Sequence, residues 1–543
     1  MKKNKILAFA VSLGLMMVFS GCESLDQSPV DYFGSGNFWK DETQVAGYMT
    51  GLHSYLRSTY SSIFVMGELR GGLLGDGDDG TGTSVCGESL NDQSIIKQDL
   101  AADKAGMSNW NGLYSEIVRV NMAIQQITDA SFLSDSQKSL YLAQAYGMRA
   151  YYYYLLYTTW GGVPLVTDVA ITEGQVSAEA LKRPRANASE IMKQMKSDIN
   201  ESEKQYNAYG GDGFTDAYTW SKYATLMLKA NIYAWAGKVT TGDQQATGSA
   251  DLNTAKTALQ EVISSNKFKL MPEFYQVFRP DYKSDNTEMI LAVPYNRTDA
   301  VYMPYASSCV GQEALVTASY DFQGNQVSLG QEAYGNRTLV NGLIRYQYKE
   351  TLWRDYGEGD TRRDATFYPI CSNPDAEKTG GNFGVLLKKF SGTYYPDEGT
   401  HLFDCDGPIF RYAETLLLMA EIENDLGNDP TPYLNQVRER AYGDKNHDFS
   451  NGSKYENTLN IMSELSKEFV FEGKRWFALL RMQDASGKAL VFDADVNYPF
   501  IPGSARTPIL TDAESYKTLW PISVSTHTND ASIVQNPGYE SFN

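Results

Sequence analysis

The chain has 543 residues, 42% of them hydrophobic, with 66 acidic against 47 basic side chains and a formal charge of −19. That balance excludes a phosphate-backbone binder, which needs clustered lysine and arginine, and excludes docking on an anionic membrane face by charge alone. Cys86, Cys309, Cys371 and Cys405 are widely spaced without a Cys-x-x-Cys, which argues against zinc; four cysteines allow three pairings and the sequence chooses none.

Lys2, Lys3 and Lys5 precede an uncharged, mostly apolar run of fourteen residues from Ile6 to Phe19. A bilayer span takes roughly 20 residues, so this run reads as a signal peptide instead. It closes on Phe19-Ser20-Gly21-Cys22, which resembles a lipoprotein box. Residues 1–21 are expected to be cleaved, leaving 22–543 as one domain with a lipid on Cys22. Glu23 and Asp26 resemble the start of the tether in surface-exported lipoproteins.

Asp41 to Thr59 reads as a first helix with Asp41 as its N-cap. Gly67 to Gly87 is a glycine-rich excursion, and long loops in compact domains are often functional. Its Gly75-Asp-Gly77-Asp-Asp-Gly80 matches a dinucleotide fingerprint in form only: no strand precedes it, no helix opens from it, and three aspartates repel a pyrophosphate. Asp76, Asp78 and Asp79 lack a full calcium-ligand loop and read as a solvated turn. Helical periodicity then returns over Met107–Thr128, Asp135–Trp160, Ala188–Tyr206, Tyr218–Lys238 and Leu252–Ser265. The tyrosine run from Tyr151 to Tyr157 falls at helical spacing and reads as core. From Lys269 to Gly407 the periodicity fades, and short apolar runs such as Met289–Val293 and Val385–Leu387 read as strands.

Phe410 to Met482 reads as three more helices. The first has Ala413, Leu416, Leu417 and Ala420 on one face and Glu414, Glu421 and Glu423 on the other. The second starts at Thr431-Pro432 and closes at Gly443. The third places Leu465, Phe469 and Trp476 in one stripe, with Glu468, Glu472, Arg475 and Arg481 expected as packed ion pairs, Glu472 with Arg475 in particular. The pattern predicts a mainly α fold: a degenerate tetratricopeptide-type helical-repeat scaffold over about 41–60, 107–266 and 408–482. Irregular inserts occupy about 61–106 and 269–407, the larger containing short strands.

Chemistry-bearing motifs are absent. His53, His401, His447 and His527 form no His-Glu-x-x-His pair, and there is neither a Gly-x-Ser-x-Gly elbow nor a phosphate-binding Gly-Lys-Ser/Thr loop. Paired carboxylates for glycoside hydrolysis stay open, since 66 acidic residues offer many pairs.

Three ordered motifs carry a resemblance: Arg411-Tyr-Ala-Glu414, Leu434-Asn-Gln-Val-Arg-Glu-Arg-Ala441 and Glu468-Phe-Val-Phe-Glu-Gly-Lys-Arg-Trp-Phe477. Trp160-Gly-Gly-Val-Pro-Leu165 and Leu519-Trp-Pro-Ile522 extend it. The chain resembles the SusD/RagB family of outer-membrane nutrient-binding lipoproteins, although Ser466-Lys467 and Ala478 depart from its usual pattern. The resemblance implies capture of an oligosaccharide, or of a peptide in a RagB-like protein, and its delivery to a SusC-like TonB-dependent transporter in the outer membrane. It also implies a non-catalytic binder, not an enzyme, with no cofactor or metal; a helical-repeat adaptor without small ligand and a surface glycosidase are the alternatives from other classes. The resemblance also implies ligand contacts from the two inserts, with no fixed motif to carry over. Sugar rings stack on flat aromatics, so the candidates are Tyr302, Tyr305, Tyr320 and Trp353 in the larger insert and Arg70 in the smaller. Trp353 is expected on a partly exposed loop.

Overall fold

The computed structural model describes residues 38–75, 82–169, 182–300, 302–327, 342–375, 383–500 and 502–542. The expected leader, Cys22 and the three aspartates at 76, 78 and 79 lie outside the described residues. Helix α1 (Glu42–Ile63) begins as the sequence predicts, with the Asp41 carboxylate accepting the Gln44 N–H at 3.0 Å. α2 (Asn111–Asp129) leads into α3 (Asp135–Trp160), whose bounds match the predicted span. A reciprocal box between Ser134 and Gln137 fixes its start, and Gly161 at φ +74° ends it. α4 (Ala188–Tyr209), α5 (Lys222–Lys238) and α6 (Ser249–Ser264) complete this part of the scaffold. α3 packs against α2 and α4, and α5 packs against α4 and α6. Tyr152, Tyr153 and Tyr157 are buried between them, so the tyrosine run is core as expected.

The C-terminal part comprises α7 (Tyr412–Asp425), α8 (Thr431–Tyr442), α9 (Lys454–Glu468) and α10 (Arg475–Arg481). On the acidic face of α7, Glu414, Glu421 and Glu423 are buried and paired with Lys474, Arg481 and Lys256. One expectation needs correction here. The third predicted helix is broken. Phe471 at φ +69° and Gly473 at φ +64° turn the chain between α9 and α10, so Glu472 and Arg475 are not helical neighbours. Glu472 pairs instead with Arg411 and Lys389, while Arg475 donates to the Ser466 hydroxyl and the Gly71 and Val496 carbonyls.

The larger insert is held at its neck. Strand β1 (Met289–Val293) pairs antiparallel with a strand at the insert's far end, Gly407–Arg411, placing Met289 opposite Arg411 and Val293 opposite Gly407. Between them lie β2 (Phe367–Cys371) with β3 (Phe383–Leu387), and β4 (Thr393–Tyr395) with β5 (Thr400–Leu402), each an antiparallel pair. The strand closing the neck is therefore β6. It runs directly into α7, so the insert is a side excursion from a continuous scaffold, not an independent sheet.

Candidate functional site

The two inserts are distant in sequence and meet in one seam. The Gly75 N–H donates to the Gln347 carbonyl at 2.8 Å, Lys349 N–H to Leu73 at 2.9 Å, and Asn91 N–H to Arg345 at 2.8 Å. Side chains reinforce the contact: Gln347 Oε1 accepts the Val85 N–H at 2.8 Å, and the Tyr346 hydroxyl donates to Asp92 at 2.5 Å. Beneath the seam a π-helical turn, Phe64–Glu68, extends α1 and buries the Glu68 carboxylate. Glu68 accepts the Tyr348 hydroxyl at 2.9 Å, the Phe471 N–H at 2.9 Å and the Gly473 N–H at 3.0 Å. Burial raises its pKa even against these three donors. One carboxylate thus joins both inserts to the C-terminal turn.

Two of the sequence-predicted residues, Tyr302 and Tyr305, lie three apart in the chain, and Tyr305 adjoins the seam through Tyr346. Tyr302 is 51% exposed, an unusual state for a large aromatic in a packed insert. Its backbone bridges Phe403, and the next N–H, from Met303, donates to the Phe403 carbonyl at 2.7 Å. Tyr305 adopts φ +65°, a conformation that non-glycine residues rarely take. Its half-buried ring stacks on Phe64 at 4.5 Å and meets the edge of Tyr346 at 5.8 Å. The β4–β5 hairpin adds a third tyrosine that the sequence reading did not single out. Tyr395 donates its hydroxyl to Asp404 at 2.7 Å, and the Arg297 guanidinium lies 4.2 Å over its ring. The signal available for it was only the Tyr394-Tyr395 pair beside Pro396. Tyr395 thus presents an aromatic face beside a carboxylate and a guanidinium.

The other candidates lie elsewhere. Arg70 is a core residue with no exposed surface: its guanidinium packs 4.0 Å from the Trp476 ring and 5.3 Å from Trp520, and Nε donates to Gln98 at 2.7 Å. Burial lowers its pKa to about 9 because no carboxylate faces it. Arg70 therefore does not reach the seam's outer surface. Trp353 is not on a loop but in the short helix Glu350–Asp355, 8% exposed and packed on Phe322 and Phe383 at 5.3 and 5.5 Å. Tyr320 is half-buried in the same region, its backbone bonded both ways to Cys371 on β2. Trp353 and Tyr320 thus belong to the wall that packs behind the β2–β3 hairpin.

Among the described residues no group of three or more His, Cys, Asp or Glu side chains is placed to hold a metal, and no helix is long and apolar enough to cross a membrane. The SusD family model matches residues 235–539, and a second model, described as starch-binding associating with outer membrane, matches residues 75–209. The chain is 26% identical to SusD-like protein P38 of Formosa agariphila, over 89% of this chain and 92% of that one. A solved SusD superfamily protein from Bacteroides fragilis is 31% identical with a TM-score of 0.80, covering 93% of this chain and all of that chain. The fold is shared at 19% identity and a TM-score of 0.64 with surface glycan-binding protein A of Bacteroides thetaiotaomicron, solved in complex with laminarihexaose, covering 92% of this chain and all of that one. With a family model spanning more than half of its length and a fold shared end to end, the chain belongs to the SusD family.

Proposed function

We propose that the protein captures oligosaccharides at the tyrosine-bearing seam and passes them to a SusC-like TonB-dependent transporter, held at the outer membrane by a lipid on Cys22. The observation that carries this reading is the half-exposed Tyr302 ring, three residues along the chain from Tyr305, whose ring packs against Tyr346 of the seam. Flat apolar faces flanked by fixed polar groups are what the C–H faces and hydroxyls of a sugar need. Two likenesses support a glycan as ligand: the outer-membrane family model described as starch-binding, and the fold relative solved with laminarihexaose. The chain is a binding protein and not an enzyme.

Affinity electrophoresis of the mature protein through gels carrying starch, laminarin or other polysaccharides tests the reading. Retardation by at least one glycan, relieved by Tyr302→Ala, is expected. Normal mobility in every glycan gel, or retardation that Tyr302→Ala leaves intact, overturns it. Co-purification of a TonB-dependent barrel with the tagged full-length protein tests the delivery step.

A further inference from the structure

A second cleft runs along the outer side of α1. It is lined by His53 and Arg57 of α1, Tyr141 and Gln144 of α3, Thr219 and Asp299, and encloses about 400 Å³. Ligand pockets run from roughly 300 to 1,000 Å³, so one or two sugar rings fit while a folded partner does not. The seam lies further along the same helix: Phe64, under Tyr305, follows Arg57 by seven residues, on the order of 10 Å of helix.

The lining holds hydrogen-bonding groups that the protein leaves unused. Gln144 is 5% exposed, and its carboxamide makes no hydrogen bond to another described residue. His53 Nδ1 lies 2.7 Å from the Met49 carbonyl, which only accepts, so Nδ1 carries the proton. Burial lowers the His53 pKa to about 4, and Nε2 is consequently a bare acceptor, with no partner among the described residues. Buried polar groups are ordinarily paired, so the unpartnered His53 Nε2, in the same lining as a Gln144 carboxamide that bonds to no described residue, points to a ligand that supplies both donors and acceptors. Charge narrows the class. Arg57 is already neutralised by Asp299 at 2.8 Å, so no free cation waits for an anionic ligand. The Tyr141 ring supplies an apolar wall.

We propose that this cleft is a second carbohydrate subsite, taking an uncharged unit of one or two sugar rings through Gln144 and His53. The choice of ligand class rests on the glycan reading of the seam, but the two sites are separable by experiment. Saturation-transfer NMR of the mature protein with glucose, galactose, mannose, xylose and N-acetylglucosamine, each at millimolar concentration, reads the cleft directly. At least one of these is expected to bind wild type and Tyr302→Ala alike. Ala46→Trp, at a half-buried position on the cleft rim, should abolish that binding, and Gln144→Ala should weaken it roughly tenfold. Thermal melting of Ala46→Trp close to wild type shows that the loss is steric and not unfolding. If none of the five sugars binds, or if Ala46→Trp binds as wild type does, the cleft is not a sugar subsite, whatever the polysaccharide gels show. Binding that disappears in Tyr302→Ala and survives in Ala46→Trp belongs to the seam and also overturns the proposal.

Discussion

Arg411 and Glu472 are joined twice, Nε to Oε2 and Nη2 to Oε1, both at 2.8 Å, and neither side chain is more than 1% exposed. Arg411 closes β6 and Glu472 lies in the turn between α9 and α10, so the pair ties the neck of the larger insert to the C-terminal helices. Arg411 Nη1 also meets Glu288 at 2.6 Å and Glu468 at 2.7 Å, and Lys389 reaches Glu472 at 2.5 Å. Glu468 is shared with Arg362, which holds Asp360 and Glu464 as well. Burial raises the carboxyl pKa values, but the surrounding guanidinium and ammonium groups outweigh it and hold Glu464, Glu468 and Glu472 below the usual range.

Removing one member of such an array leaves its partners charged and buried. Arg411→Ala should therefore cost about 3–5 kcal/mol. Arg297→Ala breaks pairs with Asp397 and Glu398 whose side chains are all at least one-third exposed, and solvent screening should leave its cost far smaller. Urea midpoints of the two variants decide the matter: equal shifts would show that the buried array contributes no more than a surface pair.

The same array sets a pH dependence. A carboxyl whose folded pKa is depressed contributes stability that is fully present above its unfolded pKa and lost as pH falls through the folded value. For the glutamates here the unfolded value is near 4.5. The stability gap between wild type and Arg411→Ala should stay constant from neutral pH down to about 5 and narrow below it. A gap that widens on acidification would reverse the sign assigned to these groups.

The scaffold was legible in the sequence because its signals are local. Ser134 with Gln137 and Gly161 bracket α3, and Asp41 starts α1, all within one turn of chain. What was missed depends on distant partners. The partners of Glu421 and Glu423, Arg481 and Lys256, lie on other helices and cannot be read from the helix that carries the two glutamates. Arg70 looks like a loop cation until Trp476 and Trp520 enclose it from more than 400 residues away. Tyr302 and Tyr305 were chosen for a general reason, aromatics in an irregular insert, and the same reason also chose Trp353, which packs inward. Sequence gives aromatic content; only the register of the seam decides which ring faces out.

Backbone contact between Gly67 and Gly473 makes a further prediction. A Cβ on Gly67 would collide with the Gly473 carbonyl oxygen, and both partners are main chain, so neither yields cheaply. Gly67→Ala should destabilise by roughly 1–3 kcal/mol or more. Gly112, inside α2 with open space around its missing Cβ, is the control. Gly112→Ala should stabilise by about 0.4–1 kcal/mol. Melting temperatures that move in the same direction in both variants would show that the Gly67 contact is not as tight as described.

Cys22→Ser tests the anchor. The variant should lose its lipid, leave the membrane fraction and fail to partition into detergent, while its melting temperature stays that of the mature wild type. Unchanged fractionation would remove the lipoprotein reading and leave the rest of the proposal standing.

The sharpest test separates two of the aromatics that the sequence offers as ligand contacts. Trp353 is packed on Phe322 and Phe383, with Arg354 and Arg363 guanidinium groups 5.7 and 5.3 Å from its ring. Trp353→Ala should therefore lower stability by about 3–5 kcal/mol, the usual cost of emptying a buried aromatic site. Its Nε1 is buried without a partner among the described residues, so Trp353→Phe removes an unpaired donor along with ring area and should cost much less than the alanine variant. Tyr302 presents the opposite case: half exposed, it should tolerate Tyr302→Ala within about 0.5 kcal/mol of wild-type stability. Glycan affinity should instead fall by about 2 kcal/mol or more, the size of a hot-spot aromatic. Calorimetric affinity and melting temperature measured on the same three variants give the answer. If Trp353→Ala loses affinity at unchanged melting temperature while Tyr302→Ala keeps it, the binding surface lies behind the β2–β3 hairpin and not at the seam.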